Sequence, residues 1–466
     1  MQADPVDALR AQLPKATFRD IAPSYLEEPR GRWHGMARAV LAPATTAEVS
    51  QIVRTCAAAS VPIVPYAGGT GLVAGQISPQ APPPVLLSLE RMDWIGPVDA
   101  DGQSVAVGAG AILQAVQNAA EAAGLLFPLS LASQGSARIG GLLATNAGGV
   151  NVIRYGNARD LCLGIEAVLP DGRVLGGMKA LRKDNTGYDL RHLMIGSEGT
   201  LGIITAAALR LHSRPANTAT ALLTAKNPAA ALTLLRQAQS MLGDGLSAFE
   251  LISGQGLAFM DETGLSYKPP FAARPDWMCL IDVGFGPDRS AHAALEAFFA
   301  AAHGAGATED GVIAQSQTQR AALWELRERI PEANRKIGAV SSHDISVPVA
   351  AIPEFIARAP ARIAKIDHFR INCFGHLGDG NLHYNVFPTP GRSRADHDAQ
   401  RAAVKRAVHD LVHELGGSVS AEHGIGRLKV DDLERYGDPG KLAAMRAIKA
   451  ALDPKNIMNP GAVLRP

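Results

Sequence analysis

Between Thr46 and Ala59 the apolar residues Val49, Ile52, Val53 and Cys56 recur at helical spacing behind a Thr-Thr start, which predicts an amphipathic helix. The next run, VPIVPYAGG, predicts a short strand that ends in glycines. Strands follow in VLLSLERM and SVAVGAG, then a helix from Ile112 to Ala123 and a hairpin in LCLGIEAVLPDGRVL that turns at Asp171-Gly172. A strand in GTLGIITAAALRLH closes this stretch, and the pattern changes near Ser213-Arg214-Pro215. Beyond it, Ala/Leu-rich helices over Pro228 to Leu242 and Arg289 to His303 alternate with strands such as MCLIDVGF. Further on, FRINCFG and LHYNVF predict strands on either side of a glycine turn and GGSVSA predicts another strand. A helix from Lys441 to Leu452 stops at Asp453-Pro454.

Composition narrows the function. Lys plus Arg number 45 against 44 Asp plus Glu, a net charge of +1, so no one-sided field invites a polyanion and nucleic acid is not an expected partner. The 47 glycines suggest a backbone that comes close to a ligand or to another element. Cys56, Cys162, Cys279 and Cys373 form no CxxC pair and are expected to be buried, reduced thiols. No basic n-region opens the chain and no run reaches the roughly 18 apolar residues of a spanning helix, so a soluble cytoplasmic protein is expected.

Three glycine clusters carry candidate chemistry. Gly69-Thr70-Gly71-Leu72-Val73-Ala74 fits GxGxxA after a strand, with Glu90 about twenty residues on, as in a Rossmann dinucleotide site. The residues that follow, Gly75, Pro79, Pro82, Pro83 and Pro84, cannot form the helix that such a site needs. A nest of amides from Gly68 to Leu72 could still hold a diphosphate, and a tight strand-ending turn explains the glycines equally well. The segment Ser133 to Gly156 places Gly140, Ala144 and Gly148 at four-residue spacing, which would bare one helix face to a flat ligand or to a closely packed element. The third cluster runs from Gly196 to Gly202.

His376 and His383 bracket Leu-Gly-Asp-Gly-Asn-Leu. A turn at Gly378-Asp379-Gly380 would set the two imidazoles across from each other on adjoining strands, as two metal ligands. Glu422-His423 could add a carboxylate and an imidazole, leaving an open position for substrate. A metallohydrolase would fit these ligands equally well. His34, His192, His303, His368, His397, His409 and His413 read as structural, and Arg327 in LWELRERI reads by composition as a solvated helix charge.

AGGTGLVAG, IGGLLATNAGG, LRKDNTGYDL and GSEGTLGIIT, with GHLGDGNLH and AEHG, resemble the vanillyl-alcohol oxidase/p-cresol methylhydroxylase superfamily over residues 38–464. Within it they are most similar to D-2-hydroxyglutarate dehydrogenases and their D-lactate dehydrogenase and glycolate oxidase relatives. The resemblance implies an α+β fold. A two-subdomain FAD-binding domain of the p-cresol methylhydroxylase type would span residues 1–212. An antiparallel-sheet substrate or cap domain flanked by helices would span 213–415, and a C-terminal segment over 416–466 would return to the flavin.

It also implies that FAD is held by Gly68, Gly69, Thr70, Gly71 and Leu72, by Ser133, Gly135, Ser136, Ile139, Gly140, Asn146 and Gly149, and by Ile203 and Asn459. With no His or Cys between Pro65 and Gly75, the FAD is expected to be non-covalent. A divalent metal, zinc or manganese, would be bound by His376, His383 and Glu422. His423 would be the general base, Asn385 a polar neighbour of the substrate, and Arg327 its carboxylate partner. Pro331 and Ser342 stand where members acting on D-2-hydroxyglutarate carry Thr and Lys. The implied reaction oxidises a D-2-hydroxy acid, D-2-hydroxyglutarate or D-malate, to the 2-oxoacid, with D-lactate or glycolate as alternatives. Electrons would pass to an external acceptor such as an electron-transfer flavoprotein or a quinone, and a homodimer is an expected assembly. A flavin-binding accessory subunit is a rival reading that the intact histidine motifs disfavour.

Overall fold

The computed structural model describes residues 4–465. They fall into two compact units: the chain up to Gly148, Gly156–Arg214 and everything from Glu422 onward form the first, while Gly149–Tyr155 and Pro215–Ala421 form the second. The C-terminal stretch is therefore part of the first unit.

The first unit holds two main sheets. In the smaller, the strand Val85–Ser88 lies between Ala39–Leu41 and Ile63–Tyr66, parallel to both, and Phe18–Arg19 adds an antiparallel edge. The helix Thr46–Ala59 connects two of these strands. The Thr45 hydroxyl caps it by accepting from the Glu48 amide at 3.2 Å, and Ser60, in the left-handed region, ends it. Its buried face of Val49, Ile52, Val53 and Cys56 packs into a core with Leu41, Ile63 and Leu87. Each large aliphatic side chain sealed there contributes about 1.5–3 kcal/mol. The Ile63 amide also bonds the Ile457 carbonyl at 2.7 Å, which fastens the C-terminal segment to this sheet.

The larger sheet is antiparallel, in the order Ile95–Asp99, Ser104–Gly108, Ile203–Arg210, Cys162–Val168, Val174–Leu175. Its last hairpin turns at Asp171-Gly172, where Gly172 has φ +84°.

The second unit is built on a seven-stranded antiparallel sheet. The order is Gly311–Ile313, Asn217–Ala225, Trp277–Phe285, Leu246–Ser253, Arg370–His376, Asn381–Phe387, Ser341–Ser346. Every residue of Leu246–Ser253 is buried, as expected for a central strand covered by helices. The helices Gly254–Glu262 and Gln317–Ile337 enclose a core of Phe259, Leu323, Leu326, Ile330, Phe374 and Phe387.

Four details differ from the sequence expectations. GGSVSA is not a strand; it makes one bridge, Ser418 to Ser346, because its glycines give a ladder nothing to pack. The helix Ile139–Ala144 ends before Gly148, so only Gly140 and Ala144 share its face. The helix expected at Arg289 starts at Ala291, capped by Ser290. His383 stands opposite Phe374 rather than His376, so the two histidines are diagonal neighbours on one sheet face. All four cysteines are buried, and among the described residues no helix is long and apolar enough to cross a membrane.

Candidate active site

In the first unit the strand Ile63–Tyr66 runs into the glycine loop and borders a cleft. Residues of the segments 65–76, 137–145 and 197–204 line it, together with Leu89 and His423. Among the described residues, the amides of Gly68, Gly69, Thr70 and Gly71 donate to no other protein group. Four successive amides of this kind form an anion cradle without a helix terminus. Val73, Leu89, Leu142, Ile203 and Ile204 give the cleft apolar walls for a flat ring system. A dinucleotide with a diphosphate and two planar rings fits that donor set.

Close packing accounts for two of these glycines. A Cβ on Gly68 would lie 2.4 Å from the Ser136 carbonyl oxygen, and one on Gly140 would lie 2.8 Å from the Ala109 Cβ. The walls pack closely because these residues lack side chains, and the packed walls frame the cleft. Glu90, the acidic residue a Rossmann site would require, is committed elsewhere: it accepts from Arg19 Nε at 2.6 Å and from the Tyr25 hydroxyl at 2.7 Å.

Of the residues expected to hold cofactor, Gly68, Gly69, Thr70, Gly71, Gly140 and Ile203 line the cleft. Leu72, Ser133, Gly135, Ser136, Ile139, Asn146 and Asn459 do not, and Gly149 belongs to the second unit. Ser136 abuts Gly68 through its carbonyl, and the Asn146 side chain accepts from the Arg159 amide at 3.0 Å. Asn459 is buried with φ +44°. Its Nδ2 donates to the carbonyls of Gly75 at 3.0 Å and Glu198 at 2.9 Å, and its Oδ1 accepts from Arg427 at 2.8 Å.

His423 lines the same cleft, with Nε2 3.7 Å from Glu422 Oε1. The turn after it is held by Glu198, whose two carboxylate oxygens accept from the amides of Ile425 and Gly426, each at 2.7 Å. Arg427 adds bonds to the carbonyls of Ala74 and Gly75. Sequence reasoning missed Glu198 and Arg427. The available signal was a carboxylate inside a glycine cluster, GSEGTLG.

A second group of side chains lies on the sheet of the second unit. His376 and His383 have ring centroids 5.5 Å apart. Each faces a carboxylate on the neighbouring strand: His376 Nδ1 is 2.5 Å from Glu250 Oε1, and His383 Nδ1 is 4.0 Å from Asp344 Oδ1. At His376, the bond from Nδ1 to Glu250 would leave Nε2 as the ring atom for a metal, the usual arrangement around a histidine ligand. The pair therefore fits a divalent metal of the zinc or manganese kind.

Glu250 is fully buried and also accepts from Arg327 Nε at 2.7 Å. Burial alone would raise its carboxyl, but its His376 and Arg327 partners outweigh burial and hold it at about 2. Arg327 is 7% exposed and lies 4.7 Å over the Phe374 ring, so it is not the solvated charge that composition suggests. Among the described residues, its two terminal nitrogens donate to no protein group. Asn385 is buried on the strand that carries His383, with Ser342 opposite it and exposed. Pro331 is exposed on the arginine's helix. Glu250 was also missed; its signal is a lone charge inside the apolar strand LSAFELIS.

Cleft and fold together define a flavoprotein of the FAD-linked oxidase class. Residues 37–176 match the family model described as FAD binding domain, and residues 214–463 match FAD linked oxidases, C-terminal domain. The p-cresol methylhydroxylase structure shares the fold with a TM-score of 0.77 at 16% identity, covering 99% of this chain and 96% of that one. An alkyldihydroxyacetonephosphate synthase structure has a TM-score of 0.73 at 20% identity, covering 98% and 85%.

Sequence relatives are more specific. The D-2-hydroxyglutarate dehydrogenase of Xanthomonas citri pv. viticola is 38% identical over 431 residues, 92% of this chain and 90% of the relative. The mitochondrial D-2-hydroxyglutarate dehydrogenase of Bos taurus is 36% identical over 461 residues, covering 98% and 82%. The chain belongs to the D-2-hydroxyglutarate dehydrogenase family, FAD-dependent oxidoreductases that act on a CH–OH donor.

Proposed function

We propose that the protein oxidises D-2-hydroxyglutarate to its 2-oxoacid, with FAD in the glycine cleft and a divalent metal held by His376, His383 and Glu422. The observation that carries this reading is Arg327. Its Nε is anchored to Glu250 and its terminal nitrogens are uncommitted, which makes a ready fork for a carboxylate on the sheet that bears the two histidines.

When bound, FAD supplies the two-electron acceptor and the metal a Lewis acid. His423 takes the proton of the 2-hydroxyl as the 2-hydrogen leaves as hydride. Arg327 holds the distal carboxylate, Asn385 contributes a polar contact, and Glu198 and Asn459 fix the segment that carries His423. The expected cofactor residues that lie off the cleft are proposed to act through the loops they support. D-malate is a shorter dicarboxylate of the same kind, and electrons leave to an external acceptor of the electron-transfer flavoprotein or quinone type.

The test is anaerobic flavin reduction with D- and L-2-hydroxyglutarate, D-malate and D-lactate, on the wild type and on Arg327→Ala. The expected result is fastest reduction by D-2-hydroxyglutarate and a rise in KM for the dicarboxylates on removing Arg327. Equal loss with D-lactate would assign Arg327 to the shared head group, and no reduction by any D-acid would reject the reaction.

A further inference from the structure

We propose that Glu250 is a positioning residue that fixes a metal ligand and the substrate arginine at once, so that metal affinity and dicarboxylate recognition depend on one buried carboxylate. The proposal deepens the reading above and rests on it.

Glu250 and His376 are direct partners across two antiparallel strands, which brings Oε1 to 2.5 Å from His376 Nδ1. Its other oxygen, Oε2, takes Arg327 Nε at 2.7 Å from the helix Gln317–Ile337. One carboxylate is thus used on both sides, and neither contact is with solvent. A bond at Nδ1 sets the His376 tautomer and ring plane, directing Nε2 to a metal. A bond at Nε leaves the two terminal N–H groups of Arg327 side by side, the edge that pairs with a carboxylate. The Phe374 ring completes the frame, 4.7 Å from the guanidinium and 5.0 Å from the His383 ring. What sets Glu250 apart from a carboxylate serving only the fold is the pair it joins, a histidine proposed to bind metal and an arginine whose terminal nitrogens are left over. Asp282, buried in the same sheet, shows the ordinary case, gripping Arg320 through Nε and a terminal nitrogen together.

The test compares holoenzyme carrying Glu250→Gln, Glu250→Asp or Asp282→Asn with wild type. Zinc affinity is read by competition with a chromophoric chelator, alongside bound FAD, Tm, and KM and kcat for D-2-hydroxyglutarate. Glu250→Gln is expected to weaken zinc on the order of 10- to 100-fold and to raise KM, with FAD still bound. The KM effect should disappear in an Arg327→Ala background. Asp282→Asn should lower Tm and leave zinc affinity unchanged.

If Glu250→Gln does not fold, Glu250→Asp decides the matter. It keeps the charge but is one methylene short of reaching both partners, and it should lose zinc affinity in the same direction. Zinc affinity and KM within twofold of wild type in either folded variant would overturn the proposal and make Glu250 structural. If His376→Ala binds zinc as wild type does, the metal assignment itself has failed. The two failures are therefore distinguishable.

Discussion

Gly68→Ala tests the proposed cofactor cleft where its wall packs directly against backbone. The new Cβ would lie 2.4 Å from the Ser136 carbonyl oxygen, 3.1 Å from Ala137 Cα and 3.2 Å from the Arg138 nitrogen. Ordinary contact begins at 3.4 Å, so the two walls must part by about 1 Å. All three obstacles are backbone. They cannot rotate away, and the amides of Ser136 and Ala137 are tied to the Ser133 carbonyl at 2.9 and 2.8 Å. Overpacking of this kind costs about 1–3 kcal/mol. If the strain falls on the FAD-bound geometry, that cost corresponds to roughly 5- to 150-fold weaker FAD at 1.4 kcal/mol per decade. The assay is titration of apoprotein with FAD, followed by flavin fluorescence, with Tm recorded in parallel. Gly176→Ala is the control, since a Cβ there meets nothing within 4 Å. Wild-type FAD affinity and wild-type Tm in Gly68→Ala would refute both the packing and the place assigned to this loop.

Two other perturbations probe the first unit. Burial tends to raise the Glu90 carboxyl, but bonds from Tyr25, Arg19 and Ser88 outweigh it and hold it below the ordinary value of 4.5. Its stabilisation is then present above the unfolded pKa and lost as pH falls through the folded one. The acid limb of a stability–pH curve below 4.5 should therefore be shallower in Glu90→Gln, and an unchanged limb would reject the assignment. Asn459→Ala removes bonds to Gly75, Glu198 and Arg427 and places a Cβ residue without side-chain bonding at φ +44°. A loss of about 2–4 kcal/mol in urea unfolding is expected, and a loss under about 0.5 kcal/mol would show that the latch is dispensable.

The strands and helices were readable where pattern and local chemistry agree. The helix Thr46–Ala59 has its capping threonine, its apolar stripe and a left-handed stop in consecutive sequence, so nothing distant is needed to specify it. The hairpin at Asp171-Gly172 is specified in the same way. Register was less legible. His383 faces Phe374 because the turn between the strands consumes one more position than a symmetric hairpin through Gly378-Asp379-Gly380 would. The partners of the supporting carboxylates were not legible, although each carboxylate stood out locally. Glu198 acts on amides 227 and 228 residues away and Glu250 on a histidine 126 residues away, separations at which neither periodicity nor spacing carries information.

Arg327 shows most clearly why composition misleads. On a helix that also bears Glu325, Glu328 and Arg329, periodicity cannot distinguish a buried arginine from a solvated one. Pro331 sharpens the point, because it has no N–H to return to the Arg327 carbonyl four residues back, and the helix is least constrained by its own ladder at that turn. The guanidinium is fixed instead from outside the helix, by Glu250 on one side and the Phe374 ring on another. Lys336, further along the same helix, pairs with Glu332 at 3.4 Å. With serine at 342, the proposed recognition of a distal carboxylate would fall chiefly on Arg327, whose guanidinium is held by Glu250 rather than by its own helix.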